Sequence, residues 1–246
     1  MEKQIKKKIA IIGCGRFGLL LGRIFKDYGE VVVIDKRELK TELKQIDHSG
    51  LSDMDWVVFA VPISALKEAV LESVEFLSPQ TLVMDVCSVK CHPLEIFQKY
   101  LPDSVEILGT HPMFGPDSAK YGLEGLQLVL SPQRISSASL EEVRDFFSGF
   151  KLSLLEMSPE EHDRQIAKSL TLVHYLGRAL NKMDLKSLSL TTLGLERLMA
   201  IDETVNNDSW ELFFDMNRYN PYTEQVRQEL RDNLQDLENQ IKKEEK

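Results

Sequence analysis

One run near the start constrains this chain more than any other: Ile9-Ala10-Ile11-Ile12-Gly13-Cys14-Gly15-Arg16-Phe17-Gly18. The apolar residues from Lys8 to Ile12 read as a buried strand, and Arg16 to Tyr28 reads as an amphipathic helix. Between them stand three glycines at G-x-G-x-x-G spacing. Gly13 allows the tight turn, Gly15 lets a pyrophosphate approach the backbone, and Gly18 lets helix and strand pack closely. The phosphates of a dinucleotide then rest on unpaired N–H groups at the helix start, where Arg16 and Phe17 lie. Asp35 closes the second β-branched run about 20 residues further on, placed to bond the adenosine ribose hydroxyls. Gly13, Gly15, Arg16, Phe17, Gly18 and Asp35 are therefore the expected cofactor-binding residues. A carboxylate repels a 2′-phosphate, so Asp35 favours NAD. Lys36 and Arg37 follow at once and keep NADP open.

Further apolar runs predict strands at 31–34, 56–61, 82–86, 105–108, 126–130 and 152–155. Helical patterns separate several of them, notably 65–76 and 140–150. Strands alternating with helices imply βαβ units, hence an α/β fold with a Rossmann-type, mostly parallel sheet. The texture changes near Ser158, where Ser158-Pro159-Glu160-Glu161 is a strong helix start. Only helical periodicity follows, ending in a long charged amphipathic helix from Tyr222 to Lys246. The expected organisation is a dinucleotide-binding domain over 1–157 and an all-helical second domain over 158–246, whose amphipathic last helix could pack against a twin; a homodimer as such is an expectation from two-domain enzymes of this kind.

With 246 residues, 43% of them apolar, the chain can bury a sizeable core, and its formal charge of −9 argues against a nucleic-acid partner. The one basic cluster, Lys3, Lys6, Lys7 and Lys8, reads as a solvated arm before the first strand. Cys14, Cys87 and Cys91 lack metal-ligand spacing and an even framework, which suits a reducing cytoplasm. No apolar run approaches the roughly 18 residues of a membrane span, and no signal region follows the charged start.

Ligands of such sheets bind at the carboxyl ends of the strands. Two segments meet that rule: Asp85-Val86-Cys87-Ser88-Val89-Lys90, and Gly109-Thr110-His111-Pro112-Met113-Phe114-Gly115-Pro116-Asp117-Ser118. A histidine just past a strand end, held before a proline, is placed to act as a general base near neutral pH.

The runs GTHPMFGPDS, DVCSVK and EEHDRQIAKSLTLVH together resemble the prephenate and arogenate dehydrogenases of tyrosine biosynthesis, over essentially the whole chain. The resemblance implies hydride transfer from a cyclohexadienol carbinol carbon to NAD(P) with loss of CO2. It makes His111 the acceptor of the hydroxyl proton. Ser88 becomes the serine that bonds that hydroxyl or orients the histidine. His174 becomes a substrate-facing residue of the second domain. Lys90 is expected to offer positive charge to a substrate carboxylate, and His162 and Asp163 are expected to be mainly helix structure near the domain junction. The chain departs from the prephenate-using pattern at Glu203, an acid where relatives carry a carboxylate-anchoring arginine five positions before the counterpart of Asp208. Arg197, upstream, is the candidate substitute. An acid such as Asp117 or Glu203 would favour the ammonium of arogenate over the keto group of prephenate. A fused chorismate mutase and a fused tyrosine-sensing domain are expected to be absent. The competing readings are another hydroxy-acid dehydrogenase and a non-catalytic NAD(H) sensor.

Overall fold

The computed structural model describes residues 7–245, leaving aside the side chains of Lys186, Asp202, Glu203 and Thr204. Of the basic cluster, Lys3 and Lys6 lie outside the described residues. Two compact units divide between His162 and Asp163.

The first unit is built on one eight-stranded sheet. Its strands are β1 (Lys7–Ile12), β2 (Gly29–Ile34), β3 (Lys44–Gln45), β4 (Trp56–Phe59), β5 (Leu82–Asp85), β6 (Glu106–Pro112), β7 (Gln127–Arg134) and β8 (Ser153–Glu156), in the order β3-β2-β1-β4-β5-β6-β7-β8. Every pairing is parallel except β6 with β7. The chain order reverses at β1, which lies between β2 and β4, and this is the crevice where doubly wound sheets bind ligands. The helices are α1 (Arg16–Phe25), α2 (Leu66–Ser73), α3 (Cys91–Tyr100), the single turn α4 (Pro116–Ala119) and α5 (Ser137–Ser148). Ile9, Ile11, Val33, Val58, Met84 and Leu108 fill the core from neighbouring strands. Strands buried on both faces need continuous apolar runs rather than alternation, which is why these read so clearly from sequence.

Three elements differ from expectation. The edge strand β3 is two exposed residues and carries no apolar signal. Helix α3 opens on a Cys-His-Pro turn and buries Pro93, Leu94, Ile96 and Phe97, a pattern hidden by its polar start. Strand β6 runs on through His111 to Pro112, because the antiparallel partner β7 pairs Leu130 with Thr110 and Val129 with His111. His111 is thus not past the strand end but inside the strand, with its backbone fixed by the ladder.

A buried ion pair ties the ends of β5 and β6. The Lys90 ammonium, completely buried, donates to the Asp85 carboxylate and, at 2.6 Å, to the Thr110 carbonyl. The same carboxylate accepts from the Cys87 N–H at 2.9 Å, and the Thr110 hydroxyl donates back to the Asp85 carbonyl. The expected substrate-carboxylate role of Lys90 does not fit this placement: its charge is sealed inside the first unit and spent on Asp85.

The second unit is helical throughout its described residues. The helix α6 (Pro159–Ile166) begins in the first unit, with its first four residues there, and starts under a Ser158 cap, whose hydroxyl accepts from the Glu161 N–H at 3.2 Å. A π-helical turn (Ala167–Thr171) leads into α7 (Leu172–Asn181), followed by α8 (Leu193–Asn206), α9 (Trp210–Tyr219) and α10 (Thr223–Glu244). A Cβ on Gly177 would stand 2.6 Å from a Val205 methyl, so the glycine sets how closely α7 and α8 approach. Leu234, Leu237 and Ile241 make an exposed apolar stripe along α10.

Breaking the buried pair from one side leaves an uncompensated charge. Lys90→Met is expected to cost about 3–5 kcal/mol in urea denaturation, and the double variant Asp85→Leu/Lys90→Met to recover at least half of it.

Candidate active site

The glycine loop sits where β1 meets the sheet's reversal. Gly13 adopts φ +94°, and a Cβ there would meet the Ala60 carbonyl oxygen at 2.7 Å. Gly18 is tighter still, with a Cβ only 2.1 Å from the Gly13 oxygen. Gly15 differs from both: nothing lies within 4 Å of its missing side chain. The first two glycines are demanded by the fold, whereas the third keeps open a space that only a ligand needs. Gly15 also caps α1 with no side-chain acceptor, so the first-turn N–H groups of the helix are presented to that space. The residues present fit a dinucleotide pyrophosphate.

Asp35 follows directly on β2, beside the loop. Its carboxylate accepts from the Cys14 N–H at 2.8 Å, from the Arg37 N–H at 2.9 Å, and from the Arg37 guanidinium at 2.8 Å through both Nε and Nη2. The Arg37 fork holds the Asp35 carboxyl well below the usual carboxylate range. These four donors occupy the acceptor positions of the carboxylate, so ribose hydroxyls reach Asp35 only as Arg37 swings aside. Arg16, at the helix start, is held by Asp117 at 2.9 and 3.0 Å, a pair exposed on both sides. Such a surface pair is worth at most about 1 kcal/mol, so a phosphate can claim Arg16 at little cost. Phe17 packs against Phe114, with ring centroids 6.3 Å apart.

At the carboxyl ends of β5 and β6 lie the two residues expected to do chemistry. The Ser88 hydroxyl is buried and has no hydrogen-bond partner among the described residues. His111 is 6% exposed, and its Nδ1 lies 2.8 Å from Nε2 of His162, itself 1% exposed. Burial pushes the His111 imidazole well below its ordinary value of 6.5, with His162 and then Lys90 adding to the effect. The imidazole is thus kept neutral. It is His162, not Ser88, that holds the ring of His111. Sequence reasoning passed over this pairing because the two residues are 51 positions apart; the acid-rich start of α6 marks a helix end and gives no hint of a partner.

In the second unit His174 lies on α7, buried, with Nε2 3.5 Å from an Asp208 carboxylate oxygen and Nδ1 without a hydrogen-bond partner among the described residues. Burial lowers its pKa, against the opposing pull of Asp208. One turn on, Arg178 donates to the carbonyls of Asp208 at 2.8 Å and Ser209 at 3.2 Å and lies 4.1 Å from the centre of the Trp210 ring. It fastens the α8–α9 connection that carries Asp208. The signal was legible as i,i+4 spacing from His174. Arg197 lies exposed on α8, and Glu203 is on the same helix with its side chain outside the described residues.

A doubly wound sheet with an open glycine cradle at its reversal point, an acid closing β2 and a buried histidine at the end of β6 defines a dinucleotide-binding protein of the dehydrogenase class. Residues 24–155 match the family model described as prephenate dehydrogenase, nucleotide-binding domain, and residues 179–246 match that of the TYRAAT1-like C-terminal domain. The chain belongs to the prephenate dehydrogenase family. It is 37% identical to arogenate dehydrogenase 1 of Arabidopsis thaliana, over 87% of this chain and 36% of that protein. To arogenate dehydrogenase 2 of the same plant it is 34% identical, over 89% and 66%. It therefore spans between about a third and two thirds of the length of these relatives. Among solved structures, prephenate dehydrogenase from Aquifex aeolicus, in complex with hydroxyphenyl propionate and NAD+, superposes with a TM-score of 0.80 at 18% identity, covering 99% of this chain and 93% of that one. Synechocystis arogenate dehydrogenase gives 0.74 at 21%, covering 97% and 93%.

The glycines separate fold from binding. Gly18→Ala is expected to destabilise by about 3 kcal/mol. Gly15→Ala is expected to change stability by less than about 1 kcal/mol while weakening dinucleotide binding at least tenfold, roughly the loss of one close phosphate approach. Urea denaturation and fluorescence titration with NADH check both.

Proposed function

We propose that the chain oxidatively decarboxylates arogenate or prephenate with NAD(P), giving tyrosine or 4-hydroxyphenylpyruvate. The observation that carries this reading is His111: a buried imidazole kept neutral, fixed by the β6 ladder at the carboxyl end of the sheet, with one ring nitrogen engaged and Nε2 left for a substrate hydroxyl. Bound nicotinamide supplies the hydride acceptor. His111 takes the proton from the ring hydroxyl as the carbinol carbon is oxidised. The Ser88 hydroxyl, buried without a partner, gains one when it bonds the same oxygen. The departing CO2 leaves its bonding pair in the ring, which becomes an aromatic phenolate, and the proton held by His111 can return to that oxygen. Orientation and one proton transfer are the main demands on the protein, since aromatisation supplies the driving force.

Arogenate is the preferred substrate in this reading. Glu203 stands where prephenate-using relatives place an arginine, and an acid attracts an α-ammonium. The two Arabidopsis relatives are both named arogenate dehydrogenases. Asp117, released when a phosphate takes Arg16, is a second acid that would attract the ammonium. His174 faces substrate and Arg197 takes the carboxylate. Asp35 favours NAD, and Arg37, released from it, is the group that would receive a 2′-phosphate. In this reading the enzyme is a cytoplasmic homodimer, in keeping with three cysteines outside any disulfide and with the apolar stripe on α10.

The test is steady-state NAD(P)H formation from each substrate with each cofactor. The expected result is turnover of both, faster with arogenate and NAD. Cofactor binding without any turnover would support a sensor instead. Because the base has a lowered pKa, it stays deprotonated as the pH falls through the ordinary imidazole value of 6.5. The acid limb of kcat/KM is therefore expected below 6.5, and a limb at or above it contradicts the assignment.

A further inference from the structure

We propose that His162 is a positioning residue: its Nε2 accepts a hydrogen bond from Nδ1–H of His111 and thereby fixes Nε2 of His111 as the nitrogen that takes the substrate proton. The proposal rests on the reading of His111 as the base.

The two nitrogens are 2.8 Å apart and both rings are buried, so one proton, not two, lies between them. The tautomer of an imidazole is set by the hydrogen bond its other nitrogen makes. Were His162 the donor, His111 would carry its own proton on Nε2 and could accept none. Only the arrangement with Nδ1–H of His111 donating leaves a lone pair on Nε2. The rings meet nearly edge to face, 69° between planes, which aims the Nδ1–H bond at an in-plane lone pair of one ring from the edge of the other.

The proton balance then closes. The substrate O–H bond breaks and an N–H bond forms at Nε2 of His111. The resulting imidazolium strengthens the Nδ1–H donation to His162. If that proton moves across, the bond at Nδ1 breaks, one forms at Nε2 of His162, and His111 is left neutral. Triads of the serine-hydrolase type use a carboxylate to orient the histidine. Here the partner is a second imidazole. A carboxylate at this depth would repel a substrate that carries carboxylates of its own, and an imidazole acceptor adds no negative charge. Placement follows from the local fold: Pro159 starts α6, the His162 N–H bonds back to the Ser158 carbonyl at 2.9 Å, and the side chain falls against His111 one turn in.

The test is the imidazole tautomer, read by long-range 1H–15N NMR on 15N-histidine-labelled protein without substrate, together with kinetics. In the wild type, His111 is expected to be protonated on Nδ1. In His162→Leu it shifts to the Nε2–H form, kcat falls about 100-fold and KM changes less than about threefold. His162→Gln, whose amide oxygen can accept, keeps the Nδ1–H form and recovers at least about tenfold of the lost kcat. An Nε2–H tautomer in the wild type overturns the proposal, as does a Leu variant with unchanged tautomer and kcat. If His162→Leu fails to fold, the wild-type tautomer and the Gln variant decide. If the wild type turns over neither substrate, the functional reading falls, while the tautomer of the resting protein still decides the pairing.

Discussion

The ion pair between Asp85 and Lys90 is the constraint on which the rest of the site depends. Both side chains are completely buried. Separating such a pair leaves a charge in a low-dielectric interior, so the geometry around it is strongly enforced. The pair acts at the place where β5 ends and β6 approaches its end, and it reaches both strands: Asp85 belongs to β5, and Lys90 grips the Thr110 carbonyl of β6. Between the partners runs the short turn that carries Ser88. Immediately after Thr110 comes His111. One buried salt bridge therefore ties together the two strand ends from which the serine and the histidine follow.

Around this anchor the protein treats its ionisable groups in two opposite ways. Where the cofactor's phosphates and ribose would lie, charge is kept and left near the surface: Asp35 is held ionised by Arg37, and Arg16 is lightly held by Asp117. At the end of β6, where the proposed base lies, charge is suppressed: burial keeps His111 neutral, and its neighbour is another imidazole. The contrast fits a reaction that binds an anion at one end of the crevice and abstracts a proton at the other.

Much of this was legible in the sequence. The glycine loop and Asp35 are local patterns, with Gly13 required by its approach to Ala60 and Gly18 by its approach to Gly13. The βαβ alternation follows from apolar runs buried on both faces. The end of β6 was not legible, because Thr110 and His111 are strand residues only by virtue of an antiparallel partner some twenty positions later, a pairing with no signature in their own composition. Lys90 reads as a surface lysine on propensity, and only its spatial neighbour Asp85 reverses that. His162 was read as helix structure, since its partner lies in a distant strand. In the helical unit, the resemblance pointed to His174, but not to Arg178 one turn on or to the connection that Arg178 fastens. What was missed is long-range and polar; what was found is local or apolar.

The central claim is that hydride removal and decarboxylation are one reaction at His111. It is tested most directly by the stoichiometry of CO2 against reduced cofactor, using arogenate labelled with 14C in the ring carboxylate. The account predicts one CO2 released for each NAD(P)H formed, with both lost together in His111→Asn. Reduced cofactor appearing without CO2, or full turnover in the His111→Asn variant, would contradict it.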